Sequence, residues 1–124
     1  MTTALRVLVA DVDEALPAWQ GLGYQVRERW GQPFAILRGP GVDVWLSGPE
    51  TSAAQICAEL EPAVQAAAST RLVTITDAFD THESDLRAAG WEPLTPRRSG
   101  PGGVQMLLRH GHNVLECFSP ATTP

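Results

Sequence analysis

Two cysteines, three histidines and the want of any long apolar run set the first limits on this 124-residue chain. Cys57 and Cys117 have neither metal nor redox spacing, so both read as reduced thiols packed as small apolar groups. No stretch approaches the roughly 20 apolar residues a helix needs to cross a bilayer. Residues 1–6 lack the charged-then-apolar order of a signal peptide, and a cytoplasmic location is the default expectation. Basic residues are few, 9 against 14 acidic, for a net charge of −5. That balance, with no basic stripe, argues against nucleic acid and anionic membranes as partners. A nucleophile elbow, a phosphate loop and a Cys-x-x-Cys pair are all missing, so no cofactor is implied.

What the chain does have is a repeat. Leu5–Asp11, a helix-like stretch and Gly23-Tyr24 recur as Leu72–Asp77, Asp80–Ala89 and Gly90-Trp91, at an offset of 67. Further on, Ile36-Leu37-Arg38 matches Leu107-Leu108-Arg109 and Pro49 matches Pro120, at an offset of 71. The second copy has therefore gained about four residues at a loop, most simply Ser99–Gly102. The expected organisation is one domain over 1–124, with module one at 4–49, a connector at 50–70 and module two at 71–120. Two similar halves that pair form a cleft between them, and the cleft is where a small molecule would bind.

Within module one, Leu5, Val7 and Val9 alternate with Arg6 and Leu8 as in a half-buried strand. Asp11 or Asp13 can cap the next helix, with Pro17 in its first turn and Ala15, Leu16 and Trp19 on one apolar face. Strands are expected at 24–30, 34–38 and 42–47. In the connector, Ile56, Leu60, Val64 and Ala67 form an apolar helical stripe that Pro62 kinks or restarts. In module two the same logic gives strands at 71–76, 91–96, 104–109 and 113–118. Asp80 is the expected helix cap, with Glu83 at capping-box spacing, and 100–103 is a loop.

A duplicated βαβββ unit of this size resembles the vicinal oxygen chelate superfamily, which includes glyoxalase I, extradiol dioxygenases and bleomycin-resistance proteins. The most specific match is Gly100–Gln105 through Gly111–Pro120, which resembles the family's closing segment. The opening strand with Val9–Val12 is also similar. The resemblance implies an α+β fold: two βαβββ modules forming a curved mixed sheet around a cup-shaped cleft, with a helical connector. It further implies a homodimer, which the connector stripe or a sheet edge would hold. In metal-using members each module gives two ligands to the cup, and those positions fall here on Ala4, Trp45, Arg71 and Glu116. Of these only Glu116 is a metal-binding type, so the resemblance points to a metal-free, bleomycin-resistance-like binder.

The expected ligand-binding residues are Trp45, Arg71, Glu116, Trp30, Leu8 and Met106, with no metal ligand and no catalytic residue unless Glu116 serves an enzyme. Trp45 and Trp30 would stack on a planar or cationic small molecule. Arg71 and Glu116 would offer it a donor fork and an acceptor, and the alternative is a structural ion pair. His110 and His112 lie in a turn that the resemblance places outside the cup, where no metal role is expected, and His82 lies in a helix and reads as solvated. Rival functions are a glyoxalase- or dioxygenase-type enzyme with a diverged metal site around Glu116, acid–base catalysis by Glu116, and an interaction module whose cup is filled by Trp45, Leu8 and Met106.

Overall fold

The computed structural model describes residues 2–121. Module one runs β1 (Thr2–Leu8), α1 (Val12–Gln20), β2 (Gln25–Trp30), β3 (Phe34–Arg38) and β4 (Asp43–Ser47). Two short helices follow, α2 (Ser52–Ala58) and α3 (Pro62–Ala68). Then come β5 (Thr70–Ile75), α4 (Phe79–Ala88), β6 (Glu92–Pro93), β7 (Arg98–Gly100), β8 (Gly103–His110) and β9 (Asn113–Pro120). The strands form one mixed sheet in the order β2-β3-β4-β1-β5-β9-β8-β6, with β7 also on β8.

The sheet carries the symmetry of the repeat. Antiparallel β1 and β5 lie at its centre, and each pairs in parallel with the last strand of its own half, β4 or β9. Ala4 lies opposite Val73 and Arg6 opposite Arg71. The offset of 67 exchanges these two pairs, so a local two-fold axis passes between β1 and β5.

Strand alternation divides the side chains between two faces. On the convex face, α1 packs Val12, Ala15, Leu16 and Trp19 against Ala35, Leu37, Val44 and Leu46. There α4 places Phe79 and Leu86 on Met106, Leu108 and Cys117. The concave face receives α2 and α3 at one end, where Ile56, Cys57 and Ala68 cover Leu107 and Val114. The connector stripe is thus spent on the protein's own sheet: Leu60, Val64 and Ala67 pack into this cluster.

Local chemistry sets the element ends, with some departures from expectation. Asp11 caps α1 by accepting from the Glu14 N–H at 3.0 Å. Pro17 lies inside α1, beyond its first turn, and withholds one N–H from the helix. Pro62 starts α3 at a position where a missing N–H costs little. Asp80 is not the cap of α4, which begins a residue earlier after Ala78 and has no side-chain cap. Asp80 is instead drawn to Arg97 at 2.6 Å, and Glu83 to the same guanidinium at 2.9 Å. The strand expected over 91–96 shrinks to two residues, since Pro93 and Pro96 have no N–H to give. Beyond it Thr95 Oγ1 accepts from the Leu107 N–H at 3.0 Å, a side chain doing the work of a ladder carbonyl. The loop expected at 100–103 is a tight turn at Pro101-Gly102, with Gly100 ending β7 and Gly103 beginning β8.

Candidate functional site

Arg6 is the residue around which the concave face is built. It stands on β1 beside Trp45 of β4 and Arg71 of β5, so three large side chains cross the centre of the cup in register. The Glu116 carboxylate meets both guanidiniums. Its Oε1 accepts from Arg6 Nε at 3.1 Å and Arg71 Nε at 2.9 Å, and its Oε2 from Arg6 Nη2 at 2.7 Å. Arg6 Nη1 donates to Ser47 Oγ at 3.1 Å. Arg71 donates to the carbonyls of Ala68 at 2.9 Å and Ala53 at 3.2 Å, which ties the connector helices to the sheet.

The cluster is dry: Arg6 is 4% exposed, Arg71 1% and Glu116 0%. Burial pushes the Glu116 carboxyl up, but Arg6 and Arg71 overcome it and hold the group below the usual carboxylate range. Glu116 is therefore ionised, and the cluster carries one net positive charge. Breaking such a buried group would leave an uncompensated charge, which is why all three side chains must be read together.

Above this floor four aromatic rings run in series, each edge-on to the next. Trp30 meets Phe34 at 6.1 Å, Phe34 meets Trp45 at 6.0 Å, and Trp45 meets Phe118 at 5.3 Å between centroids. Interplanar angles of 81–88° are the arrangement that ring quadrupoles favour. Trp45 and Phe118 touch although β1 and β5 separate their strands, so the sheet is strongly curved there. The Arg6 guanidinium carbon lies 5.0 Å from the Trp45 ring centre and within 6 Å of Phe34 and Phe118.

Rings and floor bound an open cavity of about 500 Å³. Its wall includes Arg6, Trp30, Phe34, Trp45, Gln105 and Phe118, and the Gly100–Gly103 segment closes one side. Of the residues expected to bind a ligand, Trp45 and Trp30 line this cavity, Trp30 with 53% exposure at the mouth. Arg71 and Glu116 lie behind Arg6 and do not reach the wall. Leu8 packs under the connector helices and Met106 under α4 on the convex face, so neither fills the cup. Arg6, Phe34, Gln105 and Phe118 were not expected. Arg6 looked like the solvent side of a half-buried strand, yet a charge in the central strand of a two-faced sheet has to find a buried partner.

The fold's metal positions do not suit a metal here. Both Glu116 oxygens are engaged by guanidiniums, and a divalent ion beside them would face two fixed positive charges. Among the described residues no group of three or more His, Cys, Asp or Glu could hold an ion.

No protein-family model matches the sequence, and no curated protein matches it significantly. Solved structures do match. A Legionella pneumophila structure described as an NAD-dependent benzaldehyde dehydrogenase is 15% identical, with a TM-score of 0.72 over 96% of this chain and 99% of that one. Methylmalonyl-CoA epimerase from Mycobacterium tuberculosis is 17% identical, with a TM-score of 0.61 over 96% and 87%. A glyoxalase/bleomycin resistance protein/dioxygenase superfamily member from Vibrio splendidus 12B01 is 14% identical, with a TM-score of 0.60 over 94% and 97%. At these identities the likeness is one of fold, and the fold is that of the vicinal oxygen chelate superfamily. No helix is long and apolar enough to cross a membrane among the described residues.

Proposed function

We propose that this protein binds a small planar molecule in its cup without a metal ion, as a sequestering or carrier protein of the bleomycin-resistance-like kind. The observation that carries the reading is the aromatic series Trp30–Phe34–Trp45–Phe118 along an open cavity floored by an Arg–Glu–Arg cluster. A flat guest lying on the cavity-facing rings gains stacking of about 0.5–1.5 kcal/mol per ring beyond its buried area. A positive floor disfavours a cationic guest and favours a neutral ring with an electron-rich edge. Glu116 is a poor general base for the rival enzyme reading, being held ionised and fully hydrogen-bonded behind Arg6.

Tryptophan fluorescence tests the proposal, with quinolin-2-one, 1-naphthol and the cation N-methylquinolinium as probes in excess chelator. Saturable quenching by the neutral probes, weaker for the cation and lost in Trp45→Ala, is the expected result. Binding that appears only on adding zinc, iron, manganese or nickel would sink it, as would quenching unchanged in Trp45→Ala.

A further inference from the structure

One polar group in the cup wall is left over. Gln105 of β8 is 4% exposed and lines the cavity, and its Oε1 is buried with no hydrogen-bond partner among the described residues. Buried acceptors without partners are rare because desolvating them is costly. The repeat explains how this one arose. An offset of 71 equates Phe34 with Gln105 and Ser47 with Phe118. The register pairs Phe34 with Ser47 in one half and Gln105 with Phe118 in the other. Each half thus brings one ring and one polar group to the same pair of places, with the places exchanged. Ser47 is satisfied by Arg6. In the second half Val73 occupies the place of Arg6, so no guanidinium reaches Gln105 from the central strand.

We propose that Gln105 is the specificity-determining contact of the cup, its unheld carboxamide turning about its last torsion so that Oε1 accepts a hydrogen bond from an N–H or O–H on the edge of an aromatic ligand. The inference rests on the cup being a binding site and names the chemical class that fits it: a planar lactam or phenol, not a plain hydrocarbon. A lactam edge suits the carboxamide best. Its N–H donates to Oε1, and its C=O accepts a hydrogen bond from Nε2 of the same side chain. The aromatic wall supplies area without direction, and the amide supplies direction.

The test compares quinolin-2-one with 1-methylquinolin-2-one, which keeps the rings and carbonyl but has no N–H. Affinities are read by tryptophan quenching in the wild type, Gln105→Leu and Gln105→Met. The wild type should prefer the N–H probe by about tenfold or more, the size of effect that one buried hydrogen bond produces. In both variants the preference should collapse to about one, through loss of quinolin-2-one affinity and not gain for the methylated probe. Thermal melts supply the second readout: removing an unpartnered amide should leave the melting temperature unchanged or raised, whereas a structural glutamine would lower it. A preference that persists in the variants overturns the assignment, as does a wild type indifferent to the N–H. If a planar probe binds and the Gln105 variants bind it as tightly as the wild type does, this inference falls alone. If no planar probe binds, the proposed function falls with it.

Discussion

Glu116 is fully buried between the guanidiniums of Arg6 and Arg71. With one carboxylate between two buried guanidiniums, Glu116→Gln leaves both cations without a counter-charge and should cost about 3–5 kcal/mol in urea unfolding. Arg6→Met should cost less, because Arg71 still pairs with the carboxylate. A loss under about 1 kcal/mol for Glu116→Gln would contradict the cluster as described. The same carboxyl sets an acid limit. Its folded value lies below the unfolded value of about 4.3, so its contribution is complete above that pH and fades as pH falls through the folded value. Stability should therefore begin to drop below about pH 4, and Glu116→Gln should flatten that part of the profile. Cys117 gives a simpler case. Burial, with help from Glu83, pushes its thiol up to about 11, so native protein at pH 8 should not react with a thiol reagent at this position. Rapid modification of Cys117 without unfolding would show that the β8–β9 core opens locally.

At the scale of elements, the β7–β8 turn and the entry to α2 are where small changes should reach the cup. Gly103 begins β8 with φ +143°, and a Cβ there would lie 2.1 Å from the Ser119 carbonyl oxygen. Gly103→Ala should cost about 1–3 kcal/mol and weaken quinolin-2-one binding, since the segment it anchors forms one cavity wall. An unchanged melt and affinity would show that the turn relaxes freely. Thr51 caps α2 by accepting from the Ala54 N–H at 3.2 Å while donating to the Gly48 carbonyl at 2.8 Å. Much at this scale was legible in the sequence. The glycines, prolines and alternating apolar residues placed nearly every helix and strand, and the repeat predicted their order. The errors have physical causes. Asp80 read as a cap because its spacing to Glu83 fits one, and only the folded chain brings Arg97 to both carboxylates.

The whole molecule is a pair of half-sheets joined through β1 and β5, and the charge cluster crosses that seam, Arg6 from one half to Glu116 from the other. Module one alone would leave Arg6 buried without a counter-charge, although module two keeps Arg71 paired with Glu116. Hydrogen exchange should therefore show β1 and β5 amides opening together at the global unfolding free energy. Distinctly faster exchange throughout β1–β4 would mean that module one opens on its own. The candidate site was only partly legible. Trp45 and Trp30 could be picked from residue type and repeat position, as could the buried pair Arg71–Glu116. Arg6 and Gln105 could not, because each depends on which face of a two-sided sheet becomes concave, and that is decided by the curvature that brings Trp45 to Phe118.

A frame with a two-fold axis would by itself accept a flat guest in either of two poses, related by half a turn and equal in energy. The contents of this frame remove that degeneracy. Arg6 is equivalent to Val73, Trp45 to Glu116 and Phe34 to Gln105 across the axis, so each of these three pairs has been made unequal. Rotating a guest would exchange its ring contact at Phe34 for an amide at Gln105. Duplication built a symmetric vessel, and the divergence of these three pairs turned it into one with a head and a tail.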